Sequence, residues 1–322
     1  MNQSSLPLII VNPSSAGGTT GKRWAGIASD IRTHFGAFEC AFTQKANDAR
    51  DIARRETESG RAFIIACGGD GTINEVANGI LEVEREVAAL TELGILPSGT
   101  GGDFRRTLEM PTTSANAARV LREGITRTID AGRVTFTNGE GVQSSRYFLG
   151  VSSTGIAGDA LERVKGNPIS WLPAQSSRWL GGGVSFAAAA LGAVMTFEKP
   201  TLVIRVDDGE ERRVTITNFC VANARYFGGG MKIAPHALLD DGLLDLIIIG
   251  DIERSRVVMN IHKLYAGTHL DLDEVQHAHI RRVHVRSASG EPVSIEADGE
   301  IVGCLPATFE VVPRALRVRC KN

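Results

Sequence analysis

The stretch that decides the fold is CGGDGTINEVANGI, residues 67–80, which places a glycine-rich turn between two apolar segments. Residues 62–67 (AFIIAC) before the turn are typical of a buried strand, and residues 72–81 after it have the spacing of a helix. Thr72 and Glu75 stand three apart, as in a capping box, which predicts that the helix begins at Thr72. The stretch therefore predicts a strand, a glycine-rich turn and a helix in succession.

The same alternation extends through the first third of the chain and then stops. Strand patterns occupy residues 6–11, 39–43, 62–67 and 93–96, and helical patterns occupy 22–35, 48–59, 72–81 and 114–123. After residue 128 the strand patterns are 130–137, 146–152, 202–206, 213–222, 244–249, 280–286, 293–297 and 308–312, interrupted by helices at 184–197 and 253–264. We predict an N-terminal α/β domain with a parallel sheet over residues 1–128 and a β-rich second domain over 129–305.

The turn itself has the features of a phosphate-binding loop. Gly68, Gly69 and Gly71 let the backbone approach an anion without an intervening Cβ, and the helix that follows offers free N–H groups at its positive end. Asp70 would repel a phosphate unless it handles a proton or a Mg²⁺ ion, so it favours phosphoryl transfer over passive binding. The alternative is a tight strand-to-helix turn in which Asp70 caps the local backbone.

Two more glycine-rich loops follow predicted strands. NPSSAGG, residues 12–18, follows the first strand, and PSGTGGDF, residues 97–104, follows the strand at 93–96. Because ligands bind at the carboxyl ends of strands in open α/β sheets, three such loops would line one edge. The sequence has neither a GxxxxGK[ST] loop nor a GxGxxG turn, which argues against an ordinary P-loop NTPase and against a dehydrogenase.

Acidic residues occupy two turns of the second domain. One is LLDDGLLD, residues 238–245, and the other is IEADGE, residues 295–300. Asp-Gly pairs favour hairpin turns in any protein, which is the simpler interpretation. The functional interpretation is that carboxylates in a cleft hold Mg²⁺ and accept the proton of an attacking hydroxyl.

Composition narrows the class of protein. A net charge of −2 over 322 residues gives no general attraction to nucleic acid, and five cysteines without a CxxC pair indicate a reducing, cytoplasmic setting and no zinc site.

The longest apolar stretch, residues 184–197, is shorter than the roughly 20 residues of a membrane span. Trp171 and Trp179 around Arg178 favour peripheral contact with a membrane, and the alternative is a structural loop over a buried helix.

Taken in order, NPSSAGG, GGDGTINE, LPSGTGGDF, LLDDGLLD and EADGE resemble the motifs of the diacylglycerol kinase-like lipid kinases, which include bacterial diacylglycerol kinases and sphingosine kinases. The resemblance spans residues 11–300. It implies a nucleotide-binding α/β domain like that of NAD kinases and phosphofructokinases, completed by residues 306–322, and a β-sandwich domain. It also implies that ATP and Mg²⁺ are bound and that a lipid alcohol, with a diacylglycerol-type acceptor favoured, receives the phosphoryl group.

The resemblance assigns roles to individual positions. The implied nucleotide-binding residues are Asn12, Pro13, Ser14, Ser15, Ala16 and Gly17 in the first loop, Thr43, the run Gly68, Gly69, Asp70, Gly71, Thr72, Ile73, Asn74 and Glu75, and Gly99 and Thr100 in the third loop. Glu300 matches the proton acceptor, with Asp298 beside it and Asp70 as a second candidate. Asp241 matches the acidic residue of a Mg²⁺ site, to which Leu238 and Leu243 would add backbone oxygens.

One position departs from the family pattern, and several alternatives stay open. The third loop of the family usually reads GTxND, whereas Gly102 stands here in place of asparagine before Asp103. An NAD-kinase-like enzyme and a non-catalytic lipid- or nucleotide-binding protein are the alternative functions. The sequence leaves open which lipid is the acceptor and whether the protein is a monomer or a homodimer.

Overall fold

The computed structural model describes residues 6–98, 102–137, 141–166 and 196–322, with the backbone alone for residues 162–166. The chain divides into two compact units, one formed by Met1–Ala131 with Pro313–Asn322 and the other by Gly132–Val312. The boundaries expected from the sequence lie at residues 128 and 306. Two strands, β5 (Ile125–Thr137) and β16 (Ala307–Cys320), each begin in one unit and end in the other.

The first unit is an α/β domain. Its other elements are β1 (Leu8–Val11), α1 (Thr19–His34), β2 (Glu39–Phe42), α2 (Asp48–Glu58), β3 (Phe63–Gly68), α3 (Asp70–Leu81), α4 (Arg85–Ala88), β4 (Glu92–Pro97), α5 (Asp103–Thr107) and α6 (Ser114–Glu123). The strands are parallel, in the order β2, β1, β3, β4 and the end of β16. Strands β1 and β3 are apolar and buried, as expected for a parallel sheet with helices on both faces. The predicted α/β class is confirmed.

The end of β16 is fixed to β4 by a buried carboxylate. Glu92 pairs in register with Arg317. The guanidinium groups of Arg317 and Arg319 donate to Glu92 at 2.8 and 2.5 Å, and the hydroxyl of Thr126 donates at 2.8 Å. These charged and neutral donors satisfy a carboxylate that would otherwise be costly to bury.

Gly79 allows α2 and α3 to pack in close contact. A Cβ placed there would lie 2.3 Å from the carbonyl oxygen of Arg50 and 2.8 Å from the Cβ of Ala53. We expect Gly79→Ala to lower the free energy of unfolding by about 2 kcal/mol, because α2 must move and overpacking of this kind costs about 1–3 kcal/mol. Urea denaturation measures the change. The control is Gly26→Ala in α1, where a Cβ meets no atom within 4 Å; equal effects of the two substitutions would contradict the packing argument.

The second unit is an antiparallel β-sandwich. Its further elements are β6 (Gln143–Phe148), β7 (Val151–Gly155), α7 (Ile156–Gly166), β8 (Thr201–Val206), β9 (Arg212–Thr215), β10 (Asn218–Ala222), β11 (Leu244–Ile249), α8 (Arg254–Ala266), a 3₁₀ turn (His269–Asp271), β12 (Val275–Ile280), β13 (Arg282–Ser287), β14 (Ser294–Ala297) and β15 (Glu300–Cys304). One sheet has the order β12, β11, β10, β7, β14, β15. The other contains β9, β8, β13 and the first part of β16, with β5 pairing β16 and β6. Side chains of both sheets form one core, in which Phe219 and Phe309 contact each other with ring centroids 6.1 Å apart.

Several predicted elements differ from those in the structure. The single strand expected at 146–152 is divided into β6 and β7, and the one at 213–222 is divided into β9 and β10. Strands β12 and β15 and helices α4, α5 and α7 were not predicted. Helix α3 begins at Asp70 and has Gly69 as its N-cap, so the start predicted at Thr72 is wrong.

No helix among the described residues is long and apolar enough to cross a membrane. Most of the apolar stretch at 184–197, together with Trp171, Arg178 and Trp179, lies outside the described residues, as do Gly99 and Thr100. Cys67 lies in β3 without exposed surface, as predicted, and burial raises the pKa of its thiol to about 12.

Candidate active site

The loops after β1, β3 and β4 are joined to one another at the carboxyl ends of these parallel strands. The backbone N–H of Asn12 donates to a carbonyl of β3 at 3.0 Å, and that of Ser98 donates to Gly68 at 2.9 Å. The hydroxyl of Thr20 lies 2.5 Å from that of Ser15 and 2.6 Å from that of Ser98. Three loops that the sequence predicted at one sheet edge therefore form one hydrogen-bonded assembly.

The N-terminus of α3 lies within this assembly. Among the described residues, no side chain caps it. The side-chain amide of Asn12 donates to the hydroxyl of Thr72 at 3.0 Å and holds the first loop against the first turn of α3. A Cβ at Gly68 would lie 2.4 Å from the same hydroxyl, so this close approach requires glycine. Because the first N–H groups of a helix attract anions, the arrangement fits a phosphate group.

Asp70 binds the backbone of the third loop. Its Oδ2 accepts hydrogen bonds from the N–H groups of Gly102 at 2.7 Å and Asp103 at 3.1 Å, and its Oδ1 accepts one from Phe104 at 3.4 Å. Asp70 therefore caps the start of α5, a structural role that differs from the capping of its own local turn that the sequence left open. A role for Asp70 as proton acceptor stays a prediction.

Glu75 caps a neighbouring helix. Its carboxylate accepts hydrogen bonds from the N–H groups of Asn47 at 3.1 Å and Ala49 at 3.2 Å, at the N-terminus of α2. This explains why the predicted capping box with Thr72 is wrong, since the carboxylate of Glu75 serves α2. Thr43 directly follows β2 and donates its N–H to Val11 at 2.9 Å, which places it at the same edge of the sheet as the three loops.

In the second unit, Asp298 organises the turn between β6 and β7. Its Oδ2 accepts from the N–H of Leu149 at 2.8 Å, and its Oδ1 accepts from Gly150 at 2.9 Å and Val151 at 3.0 Å. Asp298 itself has a positive φ of 47°, a conformation that aspartate tolerates better than most residues. These contacts give Asp298 a structural role in the EADGE turn, and its catalytic role stays a prediction.

Glu300 has a different environment two residues further on. Its side chain is 39% exposed, and its Oε2 lies 3.3 Å from Nη2 of Arg146, which is largely buried. Glu296, the first residue of the same turn, is buried and accepts a hydrogen bond from the hydroxyl of Ser153 at 2.7 Å. Glu300 is therefore more accessible to a substrate hydroxyl than the buried Glu296.

The LLDDGLLD turn offers oxygen donors to a metal ion. Asp241 is exposed, and its Oδ1 accepts a hydrogen bond from the N–H of Leu243 at 3.0 Å. Leu238 is also exposed, at 48%. A carboxylate and backbone carbonyls are the ligands that Mg²⁺ prefers, so the residue types fit the predicted site. The assignment of Leu238, Asp241 and Leu243 as metal ligands stays a prediction.

An apolar cavity lies between α7, α8 and the sheet of the second unit that contains β10 and β11. Aliphatic and aromatic side chains dominate its lining, which includes Ala160, Phe227, Ile249, Val257, Ile261 and Leu264. Its few polar groups include Asn218, Asn260 and the buried His269. Burial lowers the pKa of the His269 imidazole, so its neutral form is favoured.

Comparisons with known proteins agree with these features. The profile of the diacylglycerol kinase catalytic domain matches residues 7–134, and that of the YegS C-terminal NAD kinase beta sandwich-like domain matches residues 171–320. A diacylglycerol kinase from Mycobacterium tuberculosis is 30% identical over 276 residues, which cover 85% of this chain and 81% of that protein. The chain belongs to the diacylglycerol kinase-like lipid kinase family.

Solved structures show the same fold. A diacylglycerol kinase from Bacillus anthracis has a TM-score of 0.71 at 22% identity and covers 98% of this chain, with 97% of its own chain covered. An NAD kinase from Archaeoglobus fulgidus, solved in complex with ATP, has a TM-score of 0.51 at 13% identity, covering 98% of this chain and 94% of its own. The expected likeness to the NAD kinase fold is confirmed.

The arginine beside Glu300 and the backbone conformation of residue 102 were not apparent from the sequence. Arg146, next to Glu300, lies in a strand far away in the chain and has no motif that marks it. Gly102, which replaces the family's asparagine, has φ 72° and ψ 42°. Asparagine also tolerates this left-handed conformation, so the exchange preserves the path of the loop.

Proposed function

We propose that this protein is an ATP-dependent kinase that transfers the γ-phosphoryl group to the hydroxyl of a lipid, with a diacylglycerol-type alcohol favoured. The observation that carries the proposal is the uncapped N-terminus of α3, held by Asn12 and Thr72 among three joined loops. This assembly suits the phosphates of ATP. The acidic residues at the EADGE turn and the family membership support transfer over binding alone.

In the proposed reaction, Glu300 is the proton acceptor. The lipid hydroxyl loses its proton to the Glu300 carboxylate while its oxygen forms a bond to the γ-phosphorus, and the bond from that phosphorus to the bridging oxygen of ADP breaks. Arg146 positions the carboxylate through its guanidinium. Asp241 and the backbone carbonyls of Leu238 and Leu243 would hold a Mg²⁺ ion, which would supply positive charge to offset that of the phosphates. Asp70 and Asp298 act by holding loops in place.

The apolar cavity supports a lipid as the acceptor. A small polar acceptor would gain little binding free energy from an apolar cavity. An acyl chain gains about 0.8 kcal/mol of binding free energy for each CH₂ group that it buries. Ile261 lines the cavity from α8 and is 40% exposed, so a substitution there can be tolerated by the fold. The cavity therefore offers a test of substrate class that leaves the phosphate loops unchanged.

We expect Ile261→Asp to raise the KM for a long-chain lipid alcohol at least about tenfold, because a charge in the cavity must lose its hydration when the chain binds. The KM for ATP should stay unchanged. Steady-state kinetics in detergent micelles would measure both constants. The control is Leu90→Asp, a change at a side chain that is 65% exposed in the first unit. An unchanged lipid KM in Ile261→Asp would count against the cavity as the lipid site.

The activity itself is tested by transfer of labelled γ-phosphate from ATP, with Mg²⁺, to a panel of detergent-dispersed lipids and NAD. A labelled lipid alcohol is the expected result and would also identify the acceptor. Labelled NAD alone would support the NAD-kinase-like alternative and overturn the lipid proposal. No labelled product with ATP still bound would favour a non-catalytic binding protein.

We also propose that the protein works at the cytoplasmic surface of a membrane, where a water-insoluble acceptor is found. Helix α8 supports this proposal, because Met259 and Tyr265 are 69% and 48% exposed. The free cysteines are consistent with a reducing compartment. Sedimentation with vesicles that contain the lipid identified above would test the contact.

A further inference from the structure

A cluster of ionisable side chains lies on β11 and β12, and its acidic member, Asp245, is the last residue of the LLDDGLLD motif. The strand register pairs Asp245 with His279 and Ile247 with His277. Because residues two apart on a strand share a face, Asp245, His277 and His279 project from the same face of the sheet. Strand β12 is the edge strand, so the two histidines lie at the rim of the sandwich.

The three side chains converge on one point. Nε2 of His277 lies 2.7 Å from Oδ1 of Asp245, and Nε2 of His279 lies 3.6 Å from the same oxygen. The three ligand atoms are all within 4.8 Å of one another. Zinc–ligand bonds of about 2.0–2.2 Å place neighbouring donors roughly 3 to 3.5 Å apart, so small side-chain rotations would complete a coordination shell.

The three side chains differ in exposure in a way that suits a metal site, with one ligand buried and two open to solvent. The Asp245 side chain is only 5% exposed, whereas those of His277 and His279 are 24% and 50% exposed. The carboxylate is therefore fixed by the sheet, and the two imidazoles leave a route for an ion and water from solvent. Among the described residues, this is the one group of three histidine, cysteine or acidic side chains whose ligand atoms lie this close together.

We propose that Asp245, His277 and His279 bind one divalent transition-metal ion, with Zn²⁺ the best fit. Two imidazole nitrogens and one carboxylate oxygen suit zinc and leave a position for water. Magnesium prefers oxygen ligands alone, so the two imidazoles of this cluster favour a different ion from the Mg²⁺ predicted at Asp241. The ion would join the edge strand β12 to β11. The sequence predicted no zinc site because the five cysteines lack a CxxC pair. That prediction concerned cysteine ligands, whereas the ligands proposed here are histidine and aspartate.

The test is isothermal titration of Zn²⁺ into the full chain after treatment with EDTA and removal of the chelator by gel filtration. We expect one ion per chain. His277→Ala/His279→Ala should weaken this binding more than about 100-fold, because loss of an outer-shell partner alone costs about 10–100-fold. The control is His236→Ala/His262→Ala, which removes two exposed histidines outside the cluster. Equal binding by the two double variants would overturn the proposal.

The absorption spectrum of bound Co²⁺ identifies the ligand types. Measured on a variant that still folds, it separates loss of a ligand from loss of structure. Nitrogen and oxygen ligands should give d–d bands without the charge-transfer band of a thiolate, and the single variant His279→Ala should lose them. His279 is half-exposed, so its loss should leave the circular dichroism spectrum unchanged. A thiolate spectrum, which exposed Cys40 could produce, or an unchanged spectrum in His279→Ala, would show that the cluster is only a histidine–carboxylate hydrogen bond.

Discussion

Glu300→Gln is expected to lower kcat about 10²–10⁴-fold, the range that a positioned general base contributes. Glutamine has the shape of glutamate and can still accept a hydrogen bond from Arg146, but it cannot take a proton at neutral pH. The KM for ATP should change little, because the phosphate loops belong to the first unit. The measurement is steady-state transfer of labelled phosphate to the lipid acceptor, with the melting temperature recorded in parallel.

A matched control for this variant lies in the same unit. Glu310 also pairs with an arginine, with its Oε1 2.8 Å from Nη2 of Arg133, and its side chain is 29% exposed. Glu310→Gln removes one charge from a comparable ion pair and should leave kcat within about twofold, since such pairs contribute little beyond local stability. A kcat near that of the wild type in Glu300→Gln would show that Glu300 is not the proton acceptor.

Asp298→Ala is expected to lower the free energy of unfolding by about 3 kcal/mol. The substitution leaves three backbone N–H groups without their acceptor, and a hydrogen bond to a charged group contributes about 1.5–3 kcal/mol. The three bonds share one carboxylate, so their contributions should not add in full. Alanine is also less stable than aspartate at the positive φ of residue 298. Urea denaturation with the m-value checked would measure the change.

Two further variants separate a structural role for Asp298 from a catalytic one. Asp298→Asn keeps one acceptor oxygen and should lose less stability than Asp298→Ala, with kcat largely retained if Asp298 only holds the turn. Asp208→Ala removes a fully exposed aspartate from another turn of this unit and should change stability by less than about 0.5 kcal/mol. Equal stability of Asp298→Ala and the wild type would refute the structural assignment.

The sequence was most informative where strand burial and turn chemistry agree. Three apolar runs followed by glycine-rich loops predicted the parallel sheet and the edge at which Asn12, Gly68 and Ser98 meet. These predictions succeed because parallel strands and glycine turns depend on local patterns. The change of pattern after residue 128 similarly predicted a β-rich second unit, although a turn at residues 149–150 divides one of its expected strands.

The sequence was least informative where a side chain serves a distant part of the chain. Asp70, Glu75 and Asp298 each bind backbone N–H groups of another segment, so their local sequence indicates catalysis and capping equally well. Strand β12 was not predicted because His277 and His279, bound to Asp245, occupy positions where a typical strand shows apolar residues. Such partners follow from tertiary packing and not from spacing.

The buried carboxylate of Glu92 has a consequence for the order of synthesis. Arg317 and Arg319, which neutralise it, are translated more than two hundred residues later. Until then, β4 is an unprotected strand edge next to an unpaired acidic group, the kind of surface that promotes aggregation of nascent chains. The first unit can therefore finish folding only after the residues of the β-sandwich have been synthesised, because Arg317 and Arg319 follow them in the chain.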